Sequence, residues 1–151
     1  HYYSSTHEIM YDLMSDGSKY RDKIIRQTLK VEDKPNIHSL VEVLIDKMLV
    51  GNEYTSIYVM FLCELEHDNE LKVLYEEIKS KSISSVKKTF SSFGYETLDD
   101  EVFEFIINVI NGSLLACELL GARPNLTENK EHISQMLELY FKNILSEKDS
   151  I

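Results

Sequence analysis

Ile57-Tyr58-Val59-Met60-Phe61-Leu62-Cys63 is the longest unbroken apolar run of the chain, seven residues inside a stretch that extends from Glu53 to Glu66. Wound as a helix, it has no polar face. A helix that is apolar all round lies inside a domain, packed on every side. The run is far shorter than the roughly 20 residues needed to span a bilayer. It is therefore read as the central helix of an all-α domain.

Working outward from it, the periodicity is helical nearly everywhere, and the five Gly and two Pro, Gly112 apart, are read as falling where helices should end. About seven helices are expected. The first runs from Ser5 to Ser15 and stops at Asp16-Gly17-Ser18; the second, Lys19 to Lys30, places Tyr20, Ile24, Ile25 and Leu29 near one face. After Pro35, Asn36 is a good N-cap for a third helix with Ile37, Leu40, Val41, Leu44 and Met48 on one stripe. The apolar run is the fourth. Asp68 can cap a long fifth helix reaching Ser92, with Glu77 and Lys81 as an i,i+4 pair on its wet side. Thr97 is expected to cap a sixth helix, whose acidic first turn, Asp99, Asp100 and Glu101, suits the dipole and which runs to Leu120. The seventh spans about Asn129 to Leu145.

The last two helices carry more apolar surface than one face against a small core requires. Ile106, Ile110, Gly112, Ser113, Ala116, Cys117 and Leu120 on one, with Ile133, Met136, Leu137, Tyr140, Phe141 and Ile144 on the other, are read as a seam between two copies of the chain. Homodimer seams of this kind are commonly large and apolar.

At 151 residues, 43% of them hydrophobic, the chain can bury one proper core. Cys63 and Cys117 are expected as two buried free thiols in a reducing, cytoplasmic setting. The net charge of −10 argues against a nucleic acid or an anionic membrane as a direct partner. The Lys residues are read as mixed with Glu throughout, leaving no basic stripe.

The opening string His1-Tyr2-Tyr3-Ser4-Ser5-Thr6-His7-Glu8-Ile9-Met10-Tyr11-Asp12-Leu13-Met14 is an aromatic triplet, a hydroxyl-rich break and an amphipathic helix. It resembles the exit from the DNA-reading helix of the TetR/AcrR-type transcriptional repressor family, with Thr6 at a turn position where that family often has Lys. The chain starts without Met and within a structured pattern, and the resemblance implies a helix-turn-helix ahead of His1. Residues 1–4 would then be the remnant of the reading helix and 5–151 an effector-binding and dimerisation domain. His1 and Tyr2 match positions that touch DNA phosphates in that family. The resemblance further implies that the last two helices form a four-helix bundle in the dimer, and that the central helices enclose a pocket for a small apolar or amphipathic effector. Tyr20, Ile24, Met48, Tyr58, Phe61, Leu62, Phe103, Ile107 and Asn111 are the residues placed at that pocket, with Tyr58 and Asn111 supplying its polar groups.

Catalytic patterns are weak. Glu64-Leu65-Glu66-His67 contains a single Glu-x-x-His, where a di-iron bundle needs two and two further Glu. Ser113 follows Asn111-Gly112 but lacks the G-x-S-x-G pattern and the strand of a nucleophile elbow. The five His show no metal-ligand spacing. The expectation is no enzyme and no cofactor, with a helical dimerisation or scaffold module, free of ligand and DNA, as the competing reading.

Overall fold

The computed structural model describes residues 3–29, 36–48, 53–95, 98–120 and 126–149, without the side chains of 29, 47–48, 53–54, 126–128 and 146–149. Among the described residues the chain is all-α, with six helices: α1 Thr6–Leu29, α2 Ile37–Met48, α3 Glu53–Glu64, α4 Asn69–Ser92, α5 Asp100–Leu119 and α6 Leu126–Asp149.

The expected first two helices are one. Helix α1 runs unbroken through Asp16-Gly17-Ser18 for 24 residues. Gly inside a helix costs only about 1 kcal/mol relative to Ala, and the buried residues Met10, Met14, Ser18 and Ile25 form a single stripe across the expected break. A stop there would turn one half of that stripe away from the protein. The Ser18 hydroxyl settles against the preceding turn by donating to the Ser15 carbonyl at 3.0 Å. At the start of α1 the Ser5 hydroxyl accepts from the Glu8 amide at 3.3 Å, and the Glu8 carboxylate reaches back to the Ser4 amide at 2.7 Å. This is a capping box displaced by one residue.

The caps at Asn36 and Asp68 form as expected. The Asn36 side chain accepts from the Ser39 amide at 2.9 Å, and Asp68 accepts from the amides of Glu70 and Leu71, both at 3.0 Å. Helix α4 closes in a Schellman turn. Gly94 takes φ 91°, its amide bonds the Ser91 carbonyl at 3.0 Å, and the Tyr95 amide bonds the Phe90 carbonyl at 3.0 Å. The rings of Phe90 and Tyr95 complete it, 6.3 Å apart. Thr97 lies outside the described residues, and α5 begins behind Asp99.

Helix α1 lies along α4 and α6 along α2, while α5 packs on α3, α4 and α6. The larger core joins α2, α5, α6 and the end of α4 around Phe90, Phe103 and Phe141, with Phe90 set 5.5 Å from Phe103 and 5.4 Å from Phe141. A smaller core gathers Met10 and Met14 of α1, Phe61 of α3, and Leu71 and Leu74 of α4. Helix α3 is not enclosed on every side: Met60 is 58% exposed and Cys63 is exposed. Twelve residues seated on α5 and α1 need only one buried flank, so the outward flank keeps apolar residues that packing does not require.

Helix α5 has the length and composition to cross a membrane, with a mean hydropathy of 1.6. Its Val102, Phe103, Ile106, Ile110, Leu114 and Cys117 are instead buried within the chain.

Candidate functional site

Two of the residues read as polar pocket groups meet where the two cores adjoin. Tyr58 on α3 donates its hydroxyl to Asn111 Oδ1 on α5 at 2.8 Å, and Asn111 Nδ2 donates to the Tyr75 hydroxyl on α4 at 3.1 Å. Three helices are thus tied by one relay of half-buried groups. Tyr58 packs against both cores, and the Phe61 ring stands 6.1 Å from Tyr58 and 6.4 Å from Tyr75. Burial raises the Tyr75 phenol above its ordinary range, so it accepts from Asn111 as a neutral hydroxyl. Lys79 lies 5.5 Å over the Tyr75 ring and pairs with Glu76 and Glu104, both at 2.9 Å.

The other expected pocket residues divide. Phe61 is fully buried in the smaller core, and Phe103 is buried in the larger one. Ile24, Leu62 and Ile107 are half-buried. Tyr20 is a correction: it is 68% exposed, because the buried stripe of α1 runs through Ser18 and Ile25 and turns Tyr20 to solvent. The Met48 side chain, and His1 and Tyr2, lie outside the described residues. Tyr75 was missed as a site residue. Its helical spacing marks it as core, and only the meeting of α4 with α5 brings its hydroxyl to Asn111.

Helices α5 and α6 also redistribute the expected seam. Ile106, Ile110, Cys117, Ile133, Leu137 and Phe141 are buried within the single chain, turned to its own core. Gly112, Ser113, Ala116, Leu120, Met136, Tyr140 and Ile144 remain wholly or partly open. A Cβ placed on Gly112 would meet nothing within 4 Å. The open stripe continues through residues not foreseen, Phe105, Leu119 and Leu139, and the rings of Phe105 and Tyr140 lie 5.1 Å apart across the two helices.

Two histidines bridge helices. His7 Nδ1 is 2.6 Å from Asp68 and its Nε2 is 3.1 Å from Glu70, joining the first turn of α1 to the start of α4. His38 Nδ1 is 2.7 Å from Glu138 and its Nε2 is 3.2 Å from Glu42, joining α2 to α6. Carboxylates at both ring nitrogens favour the imidazolium form, which alone donates from both. The hydrogen bond to Asp68 raises the His7 pKa, and that to Glu138 raises the His38 pKa.

Glu64 and His67 are exposed, and Ser113 donates to the carbonyl of Val109 on its own helix at 2.9 Å. Among the described residues no group of three His, Cys, Asp or Glu side chains is placed to hold a metal ion. The expected Glu77–Lys81 pair does not form. The reading of Lys as mixed with Glu also fails locally, since Lys79 to Phe93 contains four Lys and no acidic residue. Comparison of the chain with protein-family models, with curated proteins and with solved structures found no match.

Proposed function

We propose that the chain is the effector-sensing and homodimerisation body of a ligand-responsive, cytoplasmic transcriptional regulator of the TetR type, reaching operator DNA through a reader domain ahead of His1. The observation that carries this reading is the Tyr58–Asn111–Tyr75 relay at the boundary of two cores, one of which holds α1 by Met10 and Met14. A small apolar or amphipathic effector entering there exchanges the relay's hydrogen bonds for its own and displaces Phe61. Met10 and Met14 share that packing, so α1 moves with it. Two half-sites about 34–36 Å apart tolerate little change in reader separation, and a small tilt of α1 releases DNA. By linkage, effector and operator weaken each other's binding.

The open stripe from Phe105 through Leu120, with Met136, Leu139 and Tyr140 beside it, supports dimerisation through α5 and α6. Leu139 is 63% exposed and Leu120 81%, a placement suited to a second copy. Leu139→Glu is expected to turn a sedimenting dimer into a monomer without loss of helical signal.

The test is operator binding by the protein with its reader domain attached, titrated with amphipathic molecules selected by thermal shift of the wild type. Ligands that raise the melting temperature should lower operator affinity, and Asn111→Leu should abolish both effects. An operator affinity that no ligand alters would refute the sensing role. The full burial of Phe61, at 0% exposure, favours a second reading, a scaffold dimer with a filled centre. Retained dimerisation with no ligand-dependent shift and no operator would select it.

A further inference from the structure

Beyond that reading, and independent of it, we propose that the second half of α4 forms a surface site for a small phosphate monoester carrying an apolar or aromatic group. The charge distribution is the first observation. Lys79 to Phe93 carries +4 with no acidic residue, so the remaining chain carries −14 to give the total of −10. The second observation is shape. Arg26, from the last turn of α1, lines a groove of about 370 Å³ with Lys81, Ser84, Ser85, Lys88 and Ser92 of α4. A neighbouring groove of about 470 Å³ shares Lys88 and Ser92 and continues to Tyr95, Leu98 and Phe103. The first groove is thus lined mainly by cations and hydroxyls, and the second, which adds Lys87, borders the Tyr95 ring.

The groups at the charged end are available. Lys79 is occupied by Glu76 and Glu104, and Lys87 by Asp100 at 2.6 Å. Lys81 and Lys88 are exposed and have no ion-pair partner among the described residues, although Glu77 lies one turn back from Lys81. Arg26 donates its Nε to the Asp22 carbonyl at 3.2 Å and lines the groove, with the Asp22 carboxylate within its electrostatic reach. Thr89 and Ser92 donate to carbonyls of their own helix, but the Ser84 and Ser85 hydroxyls have no partner among the described residues. A helix C-terminus ordinarily repels an anion. Here the carbonyls of Phe90 and Ser91 are taken by the amides of Phe93, Gly94 and Tyr95.

A phosphate monoester carries about −1.5 to −2 at pH 7 with three acceptor oxygens, which suits three cations and two free hydroxyls. Its organic group would lie along the half-buried Tyr95 ring. A duplex fits less well, because its phosphates recur about every 1.7 Å of axis and would meet the acidic remainder of the chain.

The test is an amide-shift titration of the whole chain with phenyl phosphate, and separately with inorganic phosphate and with phenol. Saturable shifts confined to residues 81–95 and 98–103 are expected. Phenyl phosphate should bind about tenfold tighter than phosphate or phenol alone. The double variant Lys81→Gln/Lys88→Gln, both exposed and so expected to melt as the wild type does, should weaken it about tenfold, whereas Lys72→Gln on the same helix should not. Shifts that fail to saturate, or undiminished binding by the double variant, would overturn the site. So would a Lys81- and Lys88-dependent affinity for a DNA duplex exceeding that for phenyl phosphate.

Discussion

Replacing Asn111 by Leu keeps the branched shape of the side chain, with bulkier methyl groups, and removes both bonds of the relay. The Tyr58 hydroxyl loses its acceptor at 2.8 Å and the Tyr75 hydroxyl its donor at 3.1 Å. A buried polar group left unmade costs about 1–3 kcal/mol. These groups are half-buried, so about 1–2 kcal/mol each is appropriate, or roughly 2–4 kcal/mol together. For a chain of this length about 1 kcal/mol moves the melting temperature by roughly 2–4 °C, which places the expected fall at roughly 5–15 °C. The decisive comparison is the triple variant Tyr58→Phe/Asn111→Leu/Tyr75→Phe. Removing all three members at once leaves none of the relay's own bonds half made, and such replacements are close to neutral. The triple variant should therefore recover at least about half of the loss, although it carries two further substitutions. Urea unfolding followed by helical circular dichroism reads this directly, with an unchanged denaturant slope showing that stability alone has moved. A triple variant as unstable as Asn111→Leu, or more so, would refute the relay as an energetic unit.

The folded-state pKa of His7 is raised, chiefly by its hydrogen bond to Asp68, so its contribution is fully present below the unfolded value of 6.5 and lost as pH rises through the folded value. Asp68 is lowered from 3.8, chiefly by the Leu71 amide, and its contribution fades only as pH falls through that lower value. Melting curves of wild type and His7→Gln should thus differ at about pH 5.5 and converge towards about pH 8.5. Cys63 is exposed and Cys117 buried, so a thiol reagent should label one equivalent rapidly and the second only on unfolding. Cys63→Ser should abolish the fast phase. Gly94→Ala meets no neighbour within 4 Å yet must hold φ +91°, and should cost about 1–2 kcal/mol in urea unfolding from backbone strain alone.

What the sequence made legible was local. Asn36 and Asp68 cap their helices because capping needs only the residue and the two or three amides after it. Gly17 misled because propensity there is weak, whereas the stripe from Met10 to Ile25 reports a surface that only the folded chain supplies. Tyr58 and Asn111 stood out as polar groups on apolar helices. Tyr75, the third member, looked like an ordinary core aromatic until α4 met α5. The apolar surplus on α5 and α6 was visible, but which half of it faces inward depends on how α6 lies along α2. The basic stretch of α4 was hidden by the total charge, which averages a +4 segment into a −10 chain.

Helix α1 is pinned twice by one stripe, with Met10 and Met14 in the smaller core and Ile25 in the larger. Between those cores stands the relay, a set of hydrogen bonds that water can take over. Opening should begin there rather than inside either core, since the trio Phe90, Phe103 and Phe141 offers no hydrogen bond for water to take over. Local opening of this kind is read by amide exchange. In Asn111→Leu the amides of residues 10–14 and 58–62 should exchange faster at a temperature where the chain remains folded. Those of residues 40–45 and 137–141, anchored in the larger core, should keep their protection. Uniform acceleration across all four segments would mean that the two cores open as one, and a wedge at Asn111 would then have no means of moving α1 alone.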